Sequence, residues 1–171
     1  MKNLIGIWPN LSRAYEIASV GKLSIELYFD KEYFSPRLDA ELIRDFYKGV
    51  SFHRKGEIQV SLHHPYFSDI VNNSHSETMK DILERIDKAK QNKKPDLTLD
   101  SISTAILKTA YDRLKFSVTD VQIIIDLAAV IAQMEGVDKI RAEHIAEAIQ
   151  YRTCTNDESY KTVGLRIPFD I

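Results

Sequence analysis

The apolar residues of this sequence change their spacing once, near residue 72, and that change limits the fold more than any other feature. Upstream they alternate. Leu23, Ile25, Leu27 and Phe29 interleave with Ser24, Glu26, Tyr28 and Asp30, and Ile58, Val60 and Leu62 interleave with Glu57, Gln59, Ser61 and His63. A period of two places every second side chain on one face, so each run predicts a strand with one buried face. Between them, Ser35-Pro36 opens a helical stretch in which Leu38, Leu42, Ile43 and Phe46 share a face, ending at Gly49. Residues 11–19 predict a further short helix through Leu11, Ala14, Ile17 and Ala18, closed by Gly21.

From residue 76 the spacing is helical. Ser76 is the expected N-cap of a helix lined by Met79, Ile82, Leu83, Ile86 and Ala89, with Asp81→Arg85 and Glu84→Lys88 as pairs one turn apart. That helix runs out in Lys88, Lys90, Lys93 and Lys94 before Pro95. Basic residues there complement the helix dipole, so a solvated helix end accounts for them; phosphate binding is the sharper alternative. A second helix, about 98–115, has Leu99, Ile102, Ile106, Ala110 and Leu114 on its expected buried side. Ser117 or Thr119 then caps a third, apolar almost all round over 121–134, which should be the centre of its bundle and which Gly136 ends. A last helix, about 142–152, aligns Ile145, Ala148 and Ile149. Beyond it Val163, Leu165, Ile167 and Phe169 alternate again, with Pro168 suited only to an edge strand.

The expected fold is therefore α+β. A small N-terminal α/β portion (1–72) leads to a four-helix bundle (73–155), and a tail (156–171) returns a strand to the sheet.

Composition excludes several function classes. Lysine and arginine number 23 against 25 acids, a formal charge of −2, without the basic excess of a dedicated nucleic-acid binder. No apolar run has the length of a membrane span, and the N-terminus does not read as a signal peptide. A lone Cys154 fits a reducing compartment, so a cytoplasmic location is expected. No two glycines stand five apart, as a phosphate-binding loop requires, and there is no GxGxxG. The five histidines, His53, His63, His64, His75 and His144, lack HExxH or CxxC contexts and read as ordinary surface residues. Cys154 follows a helix C-terminus, where the dipole disfavours a thiolate. The acid pairs Asp81/Glu84 and Glu143/Glu147 read as solvated faces. No active site is expected.

The stretch from Leu114-Lys115-Phe116-Ser117 through "LAAVIAQMEG" to "IRAEHIAEAIQYR" is distinctive, as is "SETMKDILERIDKAKQ" upstream. Together they resemble the C-terminal helical lid of magnesium-chelatase-like AAA+ ATPases, in the group of the competence-type branch-migration helicase. Residues 1–72, with "EIQVSLHHPYFSDI", resemble the end of the AAA+ core more distantly. The Walker A and B half is missing. The resemblance implies a lid arginine that senses the γ-phosphate, and Thr119 stands at that position. Ile123, Asp126 and Ala129 stand where the family helix is basic. Arg54 and Lys55 fall near the family's arginine-finger region.

These departures from the family pattern lead us to expect no catalysis and no cofactor, and because AAA+ lids contact a neighbouring subunit the resemblance implies a protein partner: an AAA+ ATPase or a second copy of the chain. In the alternative, the chain binds ATP and Mg or completes a partner's nucleotide site through Arg54, Lys55 and the 88–94 lysines. DNA processing is a third possibility, which the neutral charge opposes.

Overall fold

The computed structural model describes residues 4–29, 36–53, 55–71 and 77–154. Three parallel strands form a sheet: β1 (Ser24–Phe29), β2 (Ser51–Phe52) and β3 (Ile58–Leu62), in the order β2-β1-β3. Ile25 lies opposite Phe52 on one side and Ile58 on the other. Before the sheet comes α1 (Pro9–Gly21), which starts earlier than expected because Pro9 suits the first helical position. Between β1 and β2 lies α2 (Pro36–Phe46). On it Ile43 is buried but Leu42 is exposed, so the expected apolar face is narrower; the fully buried aromatic is Tyr47, just past the helix, whose hydroxyl pairs with that of Ser12 at 2.8 Å.

The β2–β3 connection is short and must pass across β1, since β3 lies on the far side. Gly56 makes that crossing possible: a Cβ there would lie 2.5 Å from the Glu26 amide nitrogen. After β3 comes α3 (Phe67–Val71), which buries none of its residues.

The helical part comprises α4 (Met79–Gln91), α5 (Ser101–Leu114), α6 (Val118–Glu135) and α7 (Ala142–Gln150). The cap of α4 is Thr78 rather than Ser76, which lies outside the described residues. Thr78 accepts from the Asp81 amide while the Asp81 carboxylate accepts from Thr78. Arg85 pairs not with Asp81 but with Glu16 and Glu77, and Glu84 pairs with Lys80 rather than Lys88. Leu83 is exposed. Ser117 caps α6 in a reciprocal box with Asp120, and Gly136 ends it at φ 71°.

α6 is central, as its composition predicts. It packs against α1, α4 and α7 and buries Ile124, Leu127, Ala128, Ile131 and Ala132. α1 lies between the sheet and the helices, touching β1 and β3 on one side and α4 and α6 on the other. One core therefore runs from Leu4 and Trp8 through Ile25 and Val60 to Ile145 and Ala148. The architecture is α+β as expected. The strand expected in 156–171 lies outside the described residues.

Candidate functional site

The described sequence candidates fall at the start of α6 (Thr119), in the turn before β3 (Lys55) and at the end of α4 (Lys88, Lys90, Lys93 and Lys94); a groove on the outer side of α5 and α7 joins them as a candidate from the structure. Thr119 sits in the first turn of α6 and is exposed. Beside it, the Asp120 carboxylate accepts from the Ser117 amide and hydroxyl, both at 2.8 Å. Its other oxygen receives Arg152 Nη2 at 2.6 Å, while Arg152 Nη1 donates to the carbonyls of Gly56 and Glu57 at 2.9 and 3.1 Å. Burial opposes the charge on Asp120, but the bonds from Arg152 and Ser117 outweigh it and hold the carboxyl below its usual range. An aspartate thus already occupies the electropositive end of α6. Further along, Ile123 and Ala129 are half-buried and Asp126 is exposed, accepting from Gln122 at 3.0 Å.

Lys55 is exposed in the turn before Gly56, so the Arg152 strap brings its backbone to the same corner as the start of α6. Arg54 lies outside the described residues. Lys88, Lys90, Lys93 and Lys94 are exposed at the end of α4. Of these, Lys90 lines a polar cleft of about 450 Å³ with Lys22, His53 and Glu57. The Glu57 carboxylate there is bound by the Ser24 amide at 2.8 Å and by its hydroxyl; these bonds outweigh burial and lower its pKa.

Under the sheet, burial pushes the Glu26 carboxyl up despite the hydrogen bond from Tyr28 and the attraction of Arg152. Among the described residues, no three His, Cys, Asp or Glu side chains are grouped as a metal site requires. No described helix is long and apolar enough to cross a membrane.

Most of the expected face of α5 packs on the core: Ala110 is buried and Leu99, Ile106 and Leu114 are half-buried against it. The departures are Ile102, which is 63% exposed, and Ser103 and Leu107, which are buried beside that face. Ile102, Ala105, Ile106, Ala110 and Leu114 from α5 and Ile149 from α7 line an open groove of about 630 Å³ with Arg113 beside them. Among the described residues Arg113 has no carboxylate partner.

The groove stands on firmly held helices. Arg13 of α1 grips Glu147 of α7 through Nε at 2.9 Å and Nη2 at 3.3 Å, so Glu147 is no merely solvated acid. His144 is not a surface residue but fully buried: Nδ1 accepts from the Arg141 amide at 2.9 Å, so the ring proton sits on Nε2, 2.9 Å from Glu135 Oε2. The sequence sign was its third place in α7, where a side-chain acceptor can turn back to the cap. His53, His63 and His64 are exposed, the last two beyond the end of β3; His75 lies outside the described residues.

Fold and site together define a four-helix, lid-type bundle carried on a small parallel sheet. Residues 76–152 match the family described as magnesium chelatase, subunit ChlI C-terminal, and so carry the pattern of the C-terminal lid of magnesium-chelatase-like AAA+ proteins. The match covers somewhat under half of the chain and takes in all of α4 to α7. No protein of curated function matches the chain.

Proposed function

We propose that this chain is a non-catalytic, lid-type protein-interaction module, which engages its partner through the groove on α5 and α7. The observation that carries this reading is Ile102 at 63% exposure in an apolar groove of about 630 Å³. An open groove lined by apolar side chains is a surface on which another protein can dock. The partner is an AAA+ ATPase subunit or a second copy of the chain. The start of α6 supports the absence of catalysis: Thr119, Ile123, Asp126 and Ala129 offer no cation to a triphosphate, and Asp120 and Asp126 would repel one.

The test is binding of an AAA+ partner or of a second copy, measured with wild type and with Ile102→Glu. Loss of binding in the variant, with an unchanged helical circular dichroism spectrum, supports the reading; equal binding by both overturns it.

A second reading, service to a nucleotide, rests on the cleft of Lys22, His53 and Lys90 and on Lys55 near the start of α6. Calorimetric titration with Mg-ATP separates the two. Binding tighter than about 100 μM, or about −5.5 kcal/mol, would replace the docking module with a nucleotide-binding one.

A further inference from the structure

The described residues end at Cys154, just past α7, and the alternating run Val163, Leu165, Ile167 and Phe169 follows in the sequence. Such a run needs an apolar surface to face. The sheet has little room for it. The outward groups of β3 are already bonded: the Gln59 amide donates to the Tyr151 carbonyl at 2.8 Å, and the Ser61 carbonyl accepts from Asn10 Nδ2 at 2.8 Å. Just beyond the strand, the His63 carbonyl accepts from Trp8 Nε1 at 3.0 Å. At the other edge β2 is only two residues long. Pro168 would also forfeit a ladder bond in a strand, and loses nothing against a helical surface.

The groove on α5 and α7 suits the run in place, length and charge. Arg152 binds Asp120, whose carboxylate holds Ser117, three residues past Leu114, so the chain leaves α7 at the C-terminal end of α5. The groove follows α5 from Ser101 to Leu114, about 20 Å at about 1.5 Å per residue. Val163 to Phe169, extended, spans about 20 Å with its four apolar side chains on one face. Residues 155–162 reach up to about 26 Å, enough to bring Val163 to the Leu114 end. Arg113 stands at that end with no acid partner among the described residues. The tail carries Asp157 and Glu158 ahead of its first cation, Lys161.

Resting on the reading that the groove docks protein, we propose that residues 155–171 occupy it in the same chain, with Val163, Leu165, Ile167 and Phe169 against Ile102, Ala105, Ile106 and Leu114, so that a partner must displace the tail to dock. Tethering makes a weak contact sufficient. A short linker holds its segment at an effective concentration of about 1 mM. A tail whose free peptide binds with a Kd of about 100 μM then fills its own groove about nine-tenths of the time and weakens any competitor about tenfold.

The test uses the full chain and a fluorescein-labelled peptide of residues 155–171, followed by fluorescence anisotropy. Leu165→Asp with Ile167→Asp in the chain's own tail empties the groove, and the peptide should bind this tail variant about tenfold more tightly than wild type. Adding Ile102→Glu should abolish that binding, with an unchanged helical circular dichroism spectrum. Arg113→Glu should weaken it about threefold, and a peptide carrying Asp157→Lys and Glu158→Lys should restore it.

Equal binding by wild type and tail variant overturns the inference, as does no binding by either. Binding lost in Phe67→Ser but kept in Ile102→Glu also overturns it and puts the tail on α3, where Phe67 is 79% exposed. The docking reading fails on a different measurement: a second copy or an AAA+ partner that binds the tail variant equally with and without Ile102→Glu overturns it, whatever the peptide does.

Discussion

Arg152 Nη2 lies 2.6 Å from Asp120 Oδ1, so the residue just past the end of α7 is fastened to the first turn of α6. The same guanidinium holds the carbonyls of Gly56 and Glu57, where the chain crosses β1. One side chain thus ties the C-terminal end of the lid-type segment and the start of α6 to the connection that leads into β3, and its exposure of only 12% keeps water from competing for those bonds.

Replacing Arg152 by Met keeps the stem and removes all three bonds, leaving the Asp120 charge half-buried and the two carbonyls without their donor. The expected cost is about 2–3 kcal/mol, a fall in melting temperature of about 4–12 °C for a chain of this size. Differential scanning calorimetry checks this, and a change under about 1 °C would mean that the strap contributes little.

Acid should loosen the same corner. Asp120 and Glu57 have folded-state pKa values below the ordinary carboxylate range. Each contributes stability that is present above its unfolded pKa and lost as pH falls through its lower folded value, so the loss falls below about pH 4. Glu26 is raised and has the opposite sign: its contribution is fully present below its unfolded pKa and fades as pH rises through its folded value. Melting temperature should drop as pH falls below about 4, and Asp120→Asn should make that drop shallower. Parallel curves for variant and wild type would exclude Asp120 as a source.

At Gly56 the obstacle to a side chain is backbone: a Cβ would stand 2.5 Å from the Glu26 nitrogen and 2.6 Å from the Ile25 carbonyl carbon. Neither can step aside without parting β1 from its neighbours. Gly56→Ala is expected to cost about 3 kcal/mol or more, read as a lower denaturation midpoint or as insoluble protein. A stable Gly56→Ala variant would show that the crossing loop can lift off the sheet.

Lys115 ends α5 at φ 55°, in the left-handed region that a side chain opposes. Lys115→Gly should relieve that and raise stability by about 1 kcal/mol, a rise in melting temperature of about 2–4 °C. Stability unchanged or reduced would indicate that the lysine stem contributes packing beyond its unfavourable backbone.

How far the fold was legible depended on how many periods each element spans. α6 was readable because Ile124, Leu127, Ala128 and Ile131 recur over several turns, and β3 because Ile58, Val60 and Leu62 alternate between turn signals. β2 and α3 were not, being too short to show a period. α5 was legible as a helix, and Ile106, Ala110 and Leu114 of its expected face do pack on the core, but Ile102 turns to solvent while Leu107 and the polar Ser103 are buried. Only tertiary packing decides how far the buried side extends, and the part left open forms the groove. The pairings of Arg85 with Glu16 and Arg13 with Glu147 join residues 69 and 134 positions apart, which no local spacing reveals.

His144 carries the last prediction, because it separates packing from hydrogen bonding at the start of α7. The ring is fully buried, closes the helix cap through Nδ1 and donates to Glu135 through Nε2. His144→Ala removes volume and both bonds; the Arg141 amide loses its acceptor, and a cavity opens beside Ile145 and Ala148 unless the core collapses. That should cost about 3 kcal/mol. His144→Phe restores most of the volume and neither bond, so it should cost about 1–2 kcal/mol. Urea denaturation of the two variants measures the difference. A Phe variant as unstable as the Ala variant would show that the cap bond holds α7 in place. A Phe variant near wild type would show instead that the ring is there to fill space, with water taking its place as partner to Arg141 and Glu135.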